Sequence, residues 1–234
     1  MTWQSSLGSD FHLDASQIAS FEKLLDLLTE QSDRNLTAVT EPANIVAIHF
    51  RDSLGLADFP ETKSAESAVD IGSGAGFPGL PLAIAVPSLN VTMIEARRKK
   101  CEFIEKTVMK LGLDNAFVLA SRAEDAGRSE MRATFDIAFA RAVGSIAEVL
   151  EYCFPLLKTG GSALLQRGDR SPGDEKQACQ VAELLGGTLV RIGSVKPYSD
   201  AKNLHIWVFS KTSPTPERFP RRPGVARKRP LGDF

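Results

Sequence analysis

The sequence predicts an α/β fold: a seven-stranded, mostly parallel sheet with one antiparallel strand, behind a small helical N-terminal extension. Three observations carry that expectation. From Ala68 onward, short apolar runs alternate with segments of helical spacing, as in a parallel sheet with crossover helices. The last two strand-like runs, 188–193 and 204–209, have no long helical pattern between them and read as a hairpin that reverses one strand near the edge. The first run, finally, ends in a turn with four glycines, Val69-Asp70-Ile71-Gly72-Ser73-Gly74-Ala75-Gly76-Phe77-Pro78-Gly79. It lies at a strand-to-helix junction, where such sheets bind ligands.

In chain order, Ile18, Phe21, Leu24, Leu25 and Leu28 are spaced three and four apart, which predicts an amphipathic helix over 14–31 capped by Asp14 or Ser16. Pro42 suits the first turn of a second helix reaching about Ser53. Arg34-Asn35-Leu36-Thr37 lies between the two, and the mixed, polar stretch 57–67 around Pro60 reads as a linker. Strands are expected at 68–71, 91–94, 116–119, 135–139 and 162–166. Helices are expected at 77–86, 97–111, 145–157 and 174–186, the third capped by Ser145. Ser121-Arg122-Ala123-Glu124-Asp125 is either a ligand-facing loop or a helix start, since acids favour a first turn. The chain divides into a helical region 1–60, a sheet domain 61–211 and a tail 212–234, with no internal repeats.

The 234 residues, 43% apolar, are enough for one good core and a small second unit. The net charge of -1 is unevenly spread: from Glu217 onward six cations, Arg218, Arg221, Arg222, Arg227, Lys228 and Arg229, face two acids. Such a basic tail points to a polyanionic partner or to a merely solvated end. Cys101, Cys153 and Cys179 are too few and too scattered for a disulfide framework and read as buried or semi-buried thiols of a reducing compartment. His12, His49 and His205 show no ligand spacing, so no metal site is expected. Met1 to Asp10 lacks a signal-peptide pattern, and Pro81 and Pro87 break the longest apolar stretch well short of a membrane span. A soluble, cytoplasmic protein is expected.

Glycines at the strand-to-helix turn let backbone N–H groups approach a ligand with no Cβ in the way. Glu95, nineteen positions after Gly76 and directly behind Val91-Thr92-Met93-Ile94, is placed to accept hydrogen bonds from both ribose hydroxyls. Glycine turn and carboxylate together outline a nucleoside-cofactor site. Gly74-Ala-Gly76-Phe-Pro-Gly79 fits the dinucleotide pattern, but Pro78 has no amide to offer a pyrophosphate. Asp70-x-Gly72-x-Gly74-x-Gly76 instead resembles the first motif of S-adenosylmethionine (SAM) dependent methyltransferases. Likewise, Leu156 to Gly161 resembles the turn ahead of their fifth strand.

A sulfonium methyl is already electrophilic, so alignment and desolvation matter more than a catalytic triad, and no catalytic residue is assigned. The segment after the fourth strand is Ala140-Arg141-Ala142-Val143, without the Pro-Pro-aromatic motif of many exocyclic-amine methyltransferases or a nucleophilic cysteine. A ring nitrogen with a free lone pair, such as guanine N7, needs neither device. Arg141 at that strand end is a candidate positioning group for a carboxylate or a phosphate. Arg97-Arg98-Lys99-Lys100 opens a helix against its dipole, and is either a solvated face or an RNA contact.

Several stretches in family order resemble the bacterial small-subunit ribosomal RNA methyltransferases once called glucose-inhibited division protein B, the GidB/RsmG family. They are Asn35-Leu36-Thr37-Ala38-Val39, His49-Phe50-Arg51-Asp52-Ser53-Leu54, Gly72 to Pro81, Ala140 to Val143 and Phe219-Pro220-Arg221-Arg222-Pro223-Gly224. The resemblance implies a Rossmann-like class I methyltransferase that methylates N7 of a guanine in the 530 loop of 16S ribosomal RNA, with SAM as donor and the small subunit as partner. It places Gly72, Gly74, Phe77, Ala123, Glu124 and Arg141 at the SAM site, with Glu95, Ala96 and Arg97. Many members carry Asp-Ser-Leu where this chain has Glu95-Ala96-Arg97, and Leu-Lys-Gly where it has Gln166-Arg167-Gly168. Arg167 and the six tail cations are the candidate RNA contacts. Asn35, Asp52 and Ser53 are expected either to pack against the sheet or to frame the RNA entrance, and a monomer is expected. The rival readings are a class I methyltransferase for another RNA or a small molecule, an NAD-linked oxidoreductase, and a silent RNA-binding module.

Overall fold

The computed structural model describes residues 2–30, 36–168, 171, 173–198, 201 and 204–232. The strands are β1 (Ser67–Ile71), β2 (Asn90–Glu95), β3 (Ala116–Ala120), β4 (Phe135–Arg141), β5 (Leu157–Arg167), β6 (Gly187–Val195) and β7 (Leu204–Lys211). They form one sheet in the order β3-β2-β1-β4-β5-β7-β6. β1 pairs in parallel with β2 and β4, and β7 runs antiparallel to both β5 and β6. The terminal hairpin thus supplies the one reversed strand that the sequence predicts. Connections leave β1 toward β2 on one side and reach β4 on the other, so the strand order switches at the C-terminal ends of β1 and β4, where open sheets bind ligands.

Side chains alternate across the sheet with period two and feed two cores. Ile137, Phe139, Ile206 and Val208 face one core, whereas Ala138, Ala140, Trp207 and Phe209 face the other. The first core is closed by α1 (Trp3–Phe11), α2 (Ala15–Glu30), α6 (Gly79–Ala85) and α7 (Arg98–Leu111), through residues such as Leu7, Phe21, Leu80 and Phe103. The second is closed by α8 (Ala123–Ala126), α9 (Ile146–Cys153) and α10 (Asp174–Leu185). Cys101 and Cys153 are buried and Cys179 is half-buried.

Caps fall where expected. The Asp14 carboxylate accepts from the amides of Ser16 and Gln17, and Ser145 Oγ accepts from the Glu148 amide. Four features depart from the sequence reading. Residues 3–11 form α1, whose weak apolar stripe buries Leu7 alone. Linker 57–67 holds the short α5 (Pro60–Lys63). Leu156 to Gly161 is no simple turn: β5 already pairs at Leu157 with Phe135, then bulges before Ser162 pairs with Ile137. The second helix runs as α3 (Pro42–Asn44), a π-helical stretch (Ile45–Arg51) and α4 (Asp52–Leu54). Asn35 lies outside the described residues.

The C-terminal segment is docked rather than loose. Phe219, Ala226 and Leu231 are buried in the second core, with α11 (Val225–Lys228) against α9. Arg221 forks onto the Glu151 carboxylate, Nε–Oε1 2.9 Å and Nη2–Oε2 2.6 Å, and its own amide donates to the same group. Glu151 is 0% exposed and Arg221 25%, so each partner is the other's chief compensation for lost water. Arg221 is therefore engaged inside the molecule, unlike the free cation expected of a tail. Replacing Arg221 by Ala leaves a buried carboxylate unpaired and should lower unfolding free energy by about 3 kcal/mol. Urea denaturation checks this: the midpoint falls at constant slope, and an unchanged midpoint refutes it.

Candidate functional site

β1 delivers the glycine turn to the switch point. Gly72 has φ +68, and a Cβ there would stand 2.8 Å from Val143 Cγ2, so the turn and the segment after β4 can touch only because that side chain is missing. At Gly74, φ +61, a Cβ would clash with nothing and would meet Lys100 Nζ at an ordinary contact distance of 3.6 Å. Two carboxylates fix the turn. Asp70 Oδ2 accepts from the Gly79 amide (2.9 Å). Glu95, at the end of β2, accepts from Gly74 N through Oε2 (3.0 Å) and from Arg97 N through Oε1 (2.7 Å). Asp70 Oδ1 is buried without a partner, and burial pushes this carboxyl up to about 7.

A cavity of about 230 Å³ opens over the turn, lined by Gly72, Gly74, Phe77, Lys100, His49 and Arg141 among others. Its far wall comes from the helical extension, held by one side chain. Arg141, the last residue of β4, donates from Nη1 to the Ile48 carbonyl (2.8 Å) and to Asp52 Oδ2 (3.1 Å), and from Nη2 to His49 Nδ1 (3.0 Å). A π-helical stretch shifts the backbone ladder by one residue, and its Ile48 carbonyl is the one Arg141 engages. Guanidinium only donates, so His49 Nδ1 accepts and its proton sits on Nε2, directed at Thr37 Oγ1 (2.7 Å). The imidazole stacks on Phe77 at 4.4 Å, and the Arg141 guanidinium lies 5.4 Å above the same ring. Burial first, then the Arg141 charge, push the His49 pKa down to about 3, so the ring is neutral at physiological pH.

A second cavity, of about 400 Å³, shares Arg141 and Ala142 with the first and is otherwise lined by Asp52, Gln166, Arg167 and His205 among others. Between the two, Ala142 has φ +55, a left-handed conformation costing roughly 1–2 kcal/mol for a residue with a Cβ. Strain of this kind gathers at functional sites. Gln166 Nε2 donates to both the backbone carbonyl (2.8 Å) and Oδ1 (3.0 Å) of Asp52, so Asp52 is gripped from two strands. Its pKa is raised by burial, with Arg141 opposing.

Of the expected site residues, Gly72, Gly74, Phe77 and Arg141 line the first cavity, and Glu95 reaches it through the Gly74 amide. Ala96 and Arg97 follow β2 as exposed residues. Ala123 and Glu124 are buried in α8, and the Glu124 carboxylate accepts from the Gly224 amide (2.8 Å), tying down the C-terminal segment. Arg167 donates to the Gly144 carbonyl (2.7 Å) at the rim of the second cavity. Arg218, Arg222, Arg227, Lys228 and Arg229 are exposed. The sequence reading missed His49, Thr37 and Gln166 as site residues, read Asp70 only within the glycine motif and Lys100 only as a solvated or RNA-facing cation, and left Asp52 between two roles. The stretches around Thr37 and His49 stood out only as family matches, with no spacing that marks chemistry.

Comparison with known proteins identifies the family and the fold. Residues 17–200 match the GidB family model, described as rRNA small subunit methyltransferase G. A protein of Alkaliphilus metalliredigens named Ribosomal RNA small subunit methyltransferase G is 34% identical over 94% of this chain and 93% of its own length. One of the same name from Gloeobacter violaceus is 41% identical over 94% and 88%. Among solved structures, a SAM-dependent O-methyltransferase from Thermotoga maritima aligns with TM-score 0.54 at 19% identity, covering 82% of this chain and 73% of that one. A SAM dependent methyltransferase from Aquifex aeolicus gives 0.52 at 18%, covering 72% and 93%. Both share the fold.

His49 also makes stability pH-dependent. Its folded pKa, about 3, lies below the ordinary 6.5, so between these values the unfolded chain binds a proton that the folded chain refuses. The His49 contribution to stability is therefore complete above about pH 6.5 and is lost as pH falls toward 3, while Asp70, held up at about 7, contributes the opposite slope over most of that range. In urea titrations at several pH values, His49→Gln should flatten this decline by up to ~1.4 kcal/mol per pH unit; parallel curves for both proteins refute it.

Proposed function

The chain belongs to the GidB family of small-subunit ribosomal RNA methyltransferases, SAM-dependent enzymes acting on 16S ribosomal RNA, and from that premise we propose that its target atom is N7 of a guanine in the 530 loop. One observation carries the choice of atom. Where the two cavities meet stands an arginine, and beside it in the first cavity a histidine whose ring nitrogens are both engaged, so neither is a free proton acceptor. Asp52, the carboxylate of the second cavity, is already ion-paired with Arg141. That arrangement suits a nucleophile that arrives with its lone pair bare.

The residues fit the donor. Gly74 lines the cavity with no side chain of its own, Lys100 Nζ lying 3.6 Å from where its Cβ would stand, and an unpartnered buried acceptor, Asp70 Oδ1, lies under the turn. Gly72 to Phe77 would present a close main-chain surface to SAM, with the amides other than that of Ala75 already bonded to Ile94, Glu95 or the turn itself. Glu95 keeps lone pairs free for ribose hydroxyls, and Ala123 and Glu124 would offer backbone to the adenine. Arg141 stands at the methionine end. Ala96 and Arg97 follow Glu95 around the ribose. When bound, SAM would supply an electrophilic methyl carbon whose departing electron pair remains on sulfur, so transfer to N7 would ask the protein to remove no proton. The protein's own contribution is placement. Phe77 and His49 form a flat apolar wall, Arg141 holds the dividing edge, and Ala142 carries the backbone past it.

Arg167, Arg218, Arg222, Arg227, Lys228 and Arg229 are the proposed contacts to RNA phosphate, with Arg221 contributing through the segment it pins. A cytoplasmic monomer completes the reading. Among the described residues, no helix is long and apolar enough to cross a membrane, and no group of three His, Cys, Asp or Glu side chains is placed to hold a metal ion.

The decisive experiment maps 7-methylguanine in 16S RNA, by borohydride reduction and aniline scission, from cells with and without the gene. Scission in the 530 loop should vanish with the gene; persistence overturns the proposed target. Gly74→Val should weaken SAM binding at least 100-fold by calorimetry while circular dichroism stays native. Retained affinity would place the cofactor elsewhere.

A further inference from the structure

The second cavity has no function in the reading above, and its chemistry is specific. Arg141 lines both cavities, whereas Asp52 lines the second and not the first. From cofactor to cavity interior the order is therefore glycine turn, guanidinium, carboxylate. Guanine presents the same order along its edge: N7, then the O6 acceptor, then the N1–H and 2-amino donors. From this correspondence, resting on the guanine N7 reading, we propose that the Arg141–Asp52 ion pair reads the target base. Arg141 donates to O6, and Asp52 accepts from N1–H and the 2-amino group.

Both partners have the capacity. Three of the five N–H groups of Arg141 are taken by Ile48, Asp52 and His49, leaving two without an acceptor among the described residues. A carboxylate has about four acceptor sites. Asp52 uses one on each oxygen, toward Arg141 and Gln166, and so keeps one more on each. Both side chains are mostly buried but reach the cavity, with exposures of 14% for Arg141 and 11% for Asp52. A cavity of about 400 Å³ lies within the size range of small-molecule sites.

The pair also rejects the wrong purine. Adenine would point an amino group at the guanidinium and a lone pair at the carboxylate, leaving buried groups mismatched, which is how polar sites discriminate most strongly. Gln166 serves as a positioning residue, fixing Asp52 through its amide and carboxylate. The structure thus assigns specificity to a residue of the helical extension, outside the β-α-β unit that carries the glycine turn.

The test couples the enzyme to the base. Small subunits are assembled on 16S RNA ligated to carry guanosine or inosine at the methylated position; inosine keeps N7, O6 and N1–H and lacks only the 2-amino group. Methyl transfer from labelled SAM is followed under single-turnover conditions. Wild-type enzyme should prefer guanosine by about tenfold or more, as for one lost base contact of 1–3 kcal/mol. Asp52→Asn should shrink that preference to within about threefold while SAM affinity by calorimetry stays within twofold. A purely structural Asp52 would lower both rates and keep their ratio, which overturns the proposal. A loss of SAM affinity equal to the loss of rate overturns it too, since Asp52 then serves the cofactor. Equal wild-type rates on guanosine and inosine overturn it without any variant, so the outcome does not hang on whether Asp52→Asn folds. No wild-type transfer to guanosine would instead bring down the N7 reading beneath it.

Discussion

The guanidinium of Arg141 is the constraint on which the site depends. It closes the end of β4, receives the π-helical stretch through one carbonyl and one imidazole, pairs with Asp52 and lies over Phe77. Ion pairs so deeply placed bring little net stability, because desolvation offsets the attraction. What they bring is position: remove the cation and a buried carboxylate and an aimed imidazole lose their partner together. The helical extension is thereby keyed to the sheet at the edge where ligands bind, rather than resting on its outer face alone.

A second set of carboxylates does the same on the opposite face with reversed roles. There Glu151 and Glu124 accept main-chain and side-chain donors of the C-terminal segment, so a stretch rich in arginine is drawn onto the body. The remaining tail cations project from a fixed support, which costs less ordering on binding than a free chain would. Basic character read as a tail property is a surface property in the folded protein.

Legibility in the sequence followed the range of the interactions. All seven strands, the reversed β7 and the Asp14 and Ser145 caps were readable, because period-two burial and capping are local. The cofactor half was readable for the same reason: Asp70, Gly72, Gly74 and Glu95 lie within one β-α-β unit. The second cavity was not. Asp52, Arg141 and Gln166 are brought together from α4, β4 and β5, and no spacing along the chain marks a contact of that kind. The π-helical stretch was read as ordinary helix because its apolar pattern, Ile45, Val46, His49 and Phe50 buried, is the pattern of an α-helix. The bulge in β5 hid behind Gly160 and Gly161, which look the same in a turn and in an irregular strand.

The two halves of the site therefore respond differently to change. The glycine turn is fixed by hydrogen bonds made within its own unit, Gly79 to Asp70 and Gly74 to Glu95, and keeps its shape as long as β1 and β2 pair. The second cavity exists only when the extension is seated. Asp52 reaches its place because Phe50 and Leu54, on either side of it, are buried against the same core as Leu80 and Phe139. Packing on one face of the sheet therefore sets the position of a carboxylate at its edge. The proposed base recognition rests on the part of the molecule with the longest-range contacts, and the proposed cofactor turn on the part common to the fold.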